Sequence, residues 1–362
     1  MSRVRPRVSI GVPVFNGERY LAEALDSILA QTFSDFEVII SDNASSDRTG
    51  EICSAYAAKD CRVRYNRNYD NLGAARNFNL VFELARGEYF KWASHDDMIG
   101  PDFLAKCVEV LDGDPSVVLC CPKATIIDDA GRVLKNYDVR LNTDSHHPQT
   151  RLRDLICTRH MFFQFFGLIR TSTLREMPHI GNFAASDTVL LARLVLSGRF
   201  YEIPEYLLLS RSHEEQSAKT LPTHQRVTFS ILSRFFGIRP VPHADWFDPR
   251  RKGQPLLLGW KIYLANFLAG PLPPAEWFDP RKRGWIVFPY WRLFFEHMIS
   301  IRSAQLSRRE RMGCYLNLGQ WLGKNCHRMA RDLCLAALQS MELLFAALMR
   351  GKGVNREVRR SS

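Results

Sequence analysis

With 362 residues, of which 46% are hydrophobic, the chain is long enough to bury a full core and too apolar to be mostly disordered. Its nine cysteines include no pair at CxxC spacing, which argues against a zinc site or a disulfide framework and indicates reduced thiols in a cytosolic protein. No uncharged apolar run reaches about 18 residues and no apolar leader follows Met1, so we expect neither a membrane-spanning helix nor a signal peptide.

The net charge of +11 is unevenly distributed along the chain. Residues 1–120 hold 13 Lys and Arg against 18 Asp and Glu, a net of −5, and the remainder holds 36 against 20, a net of +16. An acidic first part and a basic second part indicate two separate tasks. A basic part of this kind suits contact with anionic lipid, a phosphorylated substrate or nucleic acid.

Strand and helix patterns alternate through the first 121 residues. Strands are predicted at 8–15, 36–41, 63–66, 89–93 and 117–121, with helices at 18–31, 48–59, 74–85 and 101–112. This alternation predicts an α/β fold, a parallel sheet covered by helices. In such sheets ligands bind beyond the carboxyl ends of the strands, which is where Asp42, Asp96 and Asp97 stand in the sequence.

The next hundred residues carry weaker patterns. Residues 122–150 are polar and are predicted to be irregular. Helical spacing of apolar residues returns near 151–158 and 186–197.

The composition changes after about residue 220, where Trp, Phe and Pro mix with Arg and Lys. We therefore predict one domain over 1–220 and a mostly helical, basic and aromatic region over 221–362. Helices are predicted near 286–302 and 327–349. A ten-residue segment at 244–253 is repeated at 275–284, and two copies are too few for a solenoid.

Phosphate-binding motifs of the common kinds are missing from the sequence. There is no P-loop, and the first predicted strand is followed by Phe15-Asn16-Gly17-Glu18 rather than by GxGxxG. A diphosphate ligand would then need a divalent cation held by carboxylates. Asp96 and Asp97 suit that role, since adjacent carboxylates repel each other unless a cation or strong donors compensate. The alternative is a structural role, with these residues capping the start of the next helix.

Several motifs occur in order across the first part of the chain. They are Pro13–Asn16, Asp42–Asp47, Asn71–Gly73, Ala85–Tyr89 and Ser94–Asp97. In this order they resemble the family 2 glycosyltransferases, strongly over about 8–125 and more weakly over about 160–217. The resemblance implies the GT-A fold of nucleotide-diphospho-sugar transferases, a mostly parallel sheet flanked by helices, here with a C-terminal α-helical extension. It also implies inverting, metal-assisted sugar transfer with manganese or magnesium as the cofactor.

The resemblance assigns roles to individual residues. Asp42 stands at the first acid of an Asp-Asp-Gly-Ser motif that bonds the nucleotide base, and Asn43 stands at the second. Asp96 stands at the last acid of an Asp-X-Asp motif that binds the metal, Ser94 replaces the first acid, and Asp97 is expected to compensate in part. The other implied donor-binding residues are Pro13, Phe15, Asn16, Glu18 and Arg76.

The acceptor's proton needs a base, and the resemblance points to a carboxylate at the start of a helix after the core sheet. Asp187, in Ala185-Ser186-Asp187-Thr188, matches that place, with a helix N-cap as the alternative reading. Further on, Leu209–His213 resembles the family's Tyr-Arg-X-His segment. His213 is therefore a candidate metal ligand or phosphate contact, against the plain alternative of a surface histidine.

The C-terminal region is not explained by this resemblance. Aromatic and cationic residues mix over 281–295, a composition that suits a membrane interface, and an apolar helix over 333–349 is short for a membrane span. The alternative is a helical subdomain packed on the first domain. Expected partners are a nucleotide-sugar donor, a glycan or lipid-linked acceptor and the inner face of the cytoplasmic membrane, with a cytoplasmic location and no nucleic acid.

Two other functions remain open at this point. A nucleotidyltransferase of similar fold would need a Gly-rich loop with Arg and Lys after the first strand, and residues 12–17 have none. A non-catalytic nucleotide-sugar-binding module is favoured by Ser94 and opposed by the carboxylates Asp96, Asp97 and Asp187.

Overall fold

The computed structural model describes residues 5–181, 185–213 and 289–358, with side chains as far as Leu333. The repeat at 244–253 and 275–284 lies outside these residues. Within them the chain forms one nine-stranded mixed sheet with helices packed against it. This agrees with the predicted α/β class.

The first half of the sheet is parallel. Strands β1 (Val8–Val14), β2 (Phe36–Asp42), β3 (Val63–Arg67) and β4 (Tyr89–Trp92) alternate with helices α1 (Leu21–Leu29), α2 (Thr49–Lys59) and α3 (Ala74–Glu83). The strands lie side by side in the order β3-β2-β1-β4. Every residue of β1 and β2 is buried, which explains why both strands read as continuous apolar runs instead of alternating ones.

The second half of the sheet is mixed. Its elements are β5 (Met98–Ile99), α4 (Phe103–Gly113), β6 (Val117–Ile127), β7 (Val133–Tyr137), α5 (Pro148–Cys157), a 3₁₀ turn (Phe163–Phe166), β8 (Leu168–Arg170), α6 (Thr171–Arg175), α7 (Ser186–Ser197) and β9 (Arg199–Arg211). Strand β8 pairs antiparallel with both β4 and β6, and β6 pairs parallel with β9. Strands β4, β6 and β9 therefore point the same way, so their carboxyl ends share one edge of the sheet.

The prediction that 122–150 is irregular is wrong. Strand β6 continues to Ile127, turns, and pairs with β7 at 133–137, and α5 begins at Pro148. Strand β7 is an edge strand that exposes four of its five residues. Because β7 is exposed on both faces, its residues do not alternate between apolar and polar, and its sequence therefore does not predict a strand.

Two long helices close the described chain, α8 (Pro289–Ser303) and α9 (Arg308–Val358). Helix α9 begins about twenty residues earlier than the sequence indicates, at Arg308 instead of about 327. Helix α8 packs against α7 and α9, and α9 packs against α5. Their buried side chains, among them Ile301 and Trp321, join the same hydrophobic cluster as Trp92 and Phe165 of the sheet domain. Residues 289–332 thus pack on that domain, as the subdomain alternative expects.

Candidate active site

The turn after β1 is hydrogen-bonded to side chains of the segment after β2. The backbone N–H groups of Asn16, Gly17 and Glu18 donate to Ser45 Oγ at 2.9 Å, Thr49 Oγ1 at 2.8 Å and Asp47 Oδ2 at 3.0 Å. These three amide groups are therefore already satisfied, and this turn offers none of them to a phosphate. A Cβ at position 17 would lie 2.6 Å from Val14 Cγ2 and 2.8 Å from the His95 ring, so any larger residue there would displace one of these side chains.

Asp42 lies at the end of β2 and is fully buried. Its carboxylate accepts hydrogen bonds from Ser45 N at 2.8 Å, Tyr65 OH at 2.9 Å and Arg67 Nη1 at 2.7 Å. Register explains the last of these, since Asp42 pairs directly with Arg67 across β2 and β3. No part of the carboxylate is presented to solvent, so base binding by Asp42 stays a prediction, and half-exposed Arg67 is the polar group on the surface there.

A partly buried amide network connects the end of β2 to helix α3. Asn43 Oδ1 accepts from Leu72 N at 2.8 Å, and Asn43 Nδ2 donates to Asn71 Oδ1 at 2.7 Å. Asn71 Oδ1 also accepts from Gly73 N, the residue before α3 begins. The network therefore sets the position of the first turn of α3, which carries the exposed Arg76.

The acidic turn after β4 is joined to the end of β9. Asp96 Oδ2 lies 2.9 Å from His213 Nε2, and Asp96 Oδ1 accepts a hydrogen bond from the Ser94 hydroxyl. Asp97 Oδ1 accepts from Arg211 N at 2.8 Å. Asp96 and His213 are 7% and 6% exposed, so His213 is not a solvated surface histidine. Four of the predicted site residues, at 94, 96, 97 and 213, thus meet in one place.

The two adjacent carboxyl groups have opposite electrostatic environments. Burial opposes the charge of Asp96, but His95, the Ser94 hydroxyl and His213 outweigh it and lower the pKa of Asp96. Burial, followed by the charge of Asp96, raises the pKa of Asp97 to about 7. Of the pair, Asp96 is the group held as a carboxylate.

The pair formed by Asp96 and His213 fits a divalent cation that phosphate oxygens help to hold. Among the side chains described here, no three His, Cys, Asp or Glu residues are grouped as metal ligands. Asp96 Oδ2 and His213 Nε2 are hydrogen-bonded at 2.9 Å, a distance that is also the spacing of adjacent ligands around an octahedral ion with bonds of about 2.0–2.1 Å. Mg²⁺ commonly takes one or two carboxylates and fills its remaining positions with water and substrate phosphates.

Asp187 lies in the first turn of α7, partly buried, and burial raises its pKa. Helix α7 ends at Ser197, directly before β9 begins, so its N-terminus lies toward the edge where β9 ends. The loop before α7 is held to α3, because Ile180 N and O both bond the Asn79 side chain, one turn beyond Arg76.

The sequence reasoning missed several polar residues that shape this edge. Tyr65 and Arg67 surround Asp42, and Lys91 lies buried in β4 and donates to the Phe166 carbonyl. Arg211, the arginine of the segment that resembles Tyr-Arg-X-His, was given no role and lies buried beside Asp96. Burial lowers the pKa of Lys91 to about 8. Only the direct pairing of β2 with β3 could have indicated Arg67, and that pairing follows from the βαβ pattern.

The family match agrees with this geometry. Residues 9–176 match the family described as Glycosyl transferase family 2, and the chain thus carries a family 2 glycosyltransferase domain. The match confirms the predicted family and the predicted fold class, an α/β sheet flanked by helices. It ends before Asp187 and His213.

Curated relatives resemble mainly the first part of the chain. An uncharacterized glycosyltransferase of Rickettsia typhi is 38% identical over 118 residues, covering 32% of this chain and 36% of that protein. Another, from Rickettsia felis, is 28% identical over 240 residues, covering 64% of this chain and 38% of that protein. Glycosyltransferase GlyG of Streptococcus pneumoniae is 34% identical over 113 residues, covering 31% of this chain and 38% of that protein. The chain matches just over a third of the length of these relatives.

Solved structures are similar at lower identity. TarS residues 1–349 from S. aureus in complex with UDP is 17% identical, covers 88% of this chain and 92% of that chain, and has a TM-score of 0.47. The mannosyltransferase PcManGT from Pyrobaculum calidifontis in complex with GDP-Man and Mn²⁺ is also 17% identical. That match covers 94% of this chain and 88% of that chain, with a TM-score of 0.46. The fold assignment rests on the topology and the family match.

Proposed function

We propose that this protein is an inverting glycosyltransferase that moves a sugar from a nucleoside-diphosphate donor to an acceptor hydroxyl. The observation that carries the proposal is the pairing of Asp96 with His213 at one edge of the sheet, in a chain whose residues 9–176 match the family 2 glycosyltransferases. That edge lies beyond the carboxyl ends of parallel strands, where ligands bind in folds of this kind. We further propose polysaccharide, glycolipid or other glycoconjugate synthesis for the cell envelope as its setting.

The proposed reaction is a single displacement. The acceptor oxygen forms a bond to the anomeric carbon while the bond from that carbon to the diphosphate oxygen breaks, and the diphosphate leaves with the electron pair. Asp187 takes the proton of the acceptor hydroxyl, a role favoured by burial, which raises its pKa and makes it a better base than an exposed aspartate. Attack from the face opposite the leaving group inverts the anomeric carbon.

The charge that builds on the leaving diphosphate needs compensation. Asp96 and His213 are the residues that would hold manganese or magnesium, which stabilises negative charge on phosphate oxygens when bound. Arg76 is exposed in the first turn of α3, one turn before Asn79, and is the cation proposed for the donor phosphates. Phe15, Asn16 and Glu18 line the neighbouring rim, where Phe15 is 45% exposed.

Thermal stability in the presence of nucleotide sugars tests this proposal. We expect one of UDP-, GDP- or dTDP-sugars to stabilise the protein with Mn²⁺, by about 2.7 kcal/mol at 100 times its dissociation constant. Product analysis then shows whether a sugar is transferred and with which anomeric configuration. Stabilisation without transfer to any acceptor would favour the non-catalytic binding module, and no stabilisation by any pair would contradict the proposal.

We also propose that the C-terminal helices contact a membrane. In the described part of the chain no helix is long and apolar enough to cross one. Five of the ten exposed large apolar side chains of the described residues lie on α8 and α9, namely Phe295, Ile299, Met312, Leu316 and Leu333. Over 289–333 the exposed cations include Arg292, Arg302 and Lys324, while Glu296 and Asp332 are buried and Glu310 is half-buried. Apolar side chains among cations, without an exposed carboxylate, suit an anionic bilayer better than a nucleic acid.

Vesicle sedimentation tests the membrane contact. We expect the protein to bind vesicles containing anionic lipid and to bind purely zwitterionic ones at least about tenfold more weakly. Ile299→Ser with Leu316→Ser, at positions 52% and 65% exposed, should weaken binding without unfolding the protein. Val133→Ser with Leu134→Ser, equally exposed on β7, is the matched control. Binding to RNA but not to vesicles, or equal effects of the two double variants, would contradict the contact.

A further inference from the structure

Arg211 is the last residue of β9, and its side chain is buried although it carries a full charge. The residue is 1% exposed. Its guanidinium donates to the Asp96 carbonyl at 3.0 Å, to the Asp129 carbonyl at 2.7 Å and to Glu23 Oε2 at 2.6 Å. One planar group therefore connects the acidic turn, the turn between β6 and β7, and helix α1.

Further contacts of Arg211 reach both sides of Asp96. Its backbone N–H donates to Asp97 Oδ1 at 2.8 Å. Its guanidinium lies 4.6 Å from the ring centroid of Tyr20, and the Tyr20 ring lies 4.7 Å from the His213 ring. Arg211 thus contacts the acidic turn at Asp96 and Asp97 and, through the Tyr20 ring, packs against the imidazole that faces Asp96.

We propose that Arg211 is a positioning residue for the candidate cation and diphosphate site. It holds the backbone of Asp96 and the ring of His213 at the spacing that two ligands of one ion require. It is buried and hydrogen-bonded to protein groups, so it acts through Asp96 and His213 and not by touching the substrate. The proposal rests on the proposed function, because that function gives this spacing its purpose.

The contacts of Arg211 depend on the planar shape of its guanidinium as well as on its charge. A guanidinium presents five N–H donors in a fixed plane, and Arg211 aims them at acceptors on three separate elements. A lysine ammonium is a single point on a flexible stem and cannot reach these acceptors together. Arg211→Lys therefore keeps the charge and removes the support, which separates the two roles.

Arg151 provides a matched control. It is also an arginine buried at 4% exposure, and it too donates to backbone carbonyls, of Val195 at 2.8 Å and Ser145 at 2.9 Å. It lies in α5 and bonds to α7, and its bonds do not reach the acidic turn. Arg151→Lys and Arg211→Lys should both lower the melting temperature, so stability alone does not distinguish them.

The experiment compares the two variants by Mn²⁺ titration and by the imidazole NMR signal of His213, assigned with His213→Gln. For Arg211→Lys we expect the His213 signal to shift and the Mn²⁺ concentration needed for half-maximal donor binding to rise about 10–100-fold, the usual effect of losing a group that orients metal ligands. For Arg151→Lys we expect neither change. In steady-state kinetics Arg211→Lys should raise KM for the donor and lower kcat.

The outcomes separate this proposal from the proposed function. If the wild-type protein binds no nucleotide sugar with or without Mn²⁺, the proposed function fails, whatever the variants do. If the His213 signal of Arg211→Lys matches that of the wild type, or if Arg151→Lys shifts it equally, the positioning role of Arg211 is wrong even when donor binding is normal.

Discussion

Asp187→Asn is expected to reduce sugar transfer by about 10²–10⁴-fold while leaving donor affinity within about twofold. Asparagine keeps the shape of the side chain but cannot take the acceptor's proton. Since Asp187 lies in the first turn of α7 and the donor contacts are assigned to other elements, binding should survive. Transfer assays with saturating donor, together with donor binding by calorimetry, measure the two effects separately.

A matched control and a pH profile strengthen this test. Glu51 lies in the first turn of α2 as Asp187 does in α7, and Glu51→Gln should leave transfer unchanged. A base must be deprotonated to act, and burial raises the pKa of Asp187, so kcat/KM should fall on the acid side at a pH above the ordinary aspartate value of about 3.9. Full activity of Asp187→Asn would assign Asp187 to helix capping alone.

Asp96→Asn is expected to remove the metal-dependent part of donor binding. The variant keeps an oxygen for the Ser94 hydroxyl but loses the charge that a divalent cation needs beside His213. With Mn²⁺ present, donor affinity should fall at least about tenfold, to the level that the wild type shows after chelation with EDTA. Thermal shift with and without Mn²⁺ measures this directly.

Asp138→Asn is the control for Asp96→Asn. Asp138 directly follows β7, and its side chain is 55% exposed and pairs with Lys123 at 3.0 Å. Its replacement removes one carboxylate without touching the acidic turn, so donor binding should keep its dependence on Mn²⁺. Donor binding by Asp96→Asn that still responds to Mn²⁺ like the wild type would show that the cation lies elsewhere.

The parallel half of the fold could be predicted because its signals are local. Strands β1 and β2 are nearly continuous apolar runs, each of β1 to β4 is followed by a turn and a helical pattern, and the observed bounds differ from the predicted ones by a few residues. The carboxyl ends of these strands carry Asp42 and Asp96, so the acidic edge was also predictable. The roles proposed for Asp187 and His213 came from the family motifs and stay predictions.

The second half of the fold was less accessible to sequence reasoning. Strands β8 and β9 pair with segments far away in the chain, and β7, which pairs with the preceding strand β6, has almost no buried face. Strand β8 has only three residues, too few for a periodic pattern. Such strands form because a neighbouring strand offers unpaired backbone groups, and the pattern of their own residues does not indicate this pairing.

The sequence by itself determined the βαβ order, the acidic residues at the strand ends and the uneven charge along the chain. Only the tertiary structure decided that His213 lies 2.9 Å from Asp96 and that Arg211 joins Glu23 to the acidic turn. The physical reason is the range of each signal. Periodicity reports how a residue faces within its own helix or strand, whereas contacts between residues more than a hundred positions apart depend on how complete elements pack.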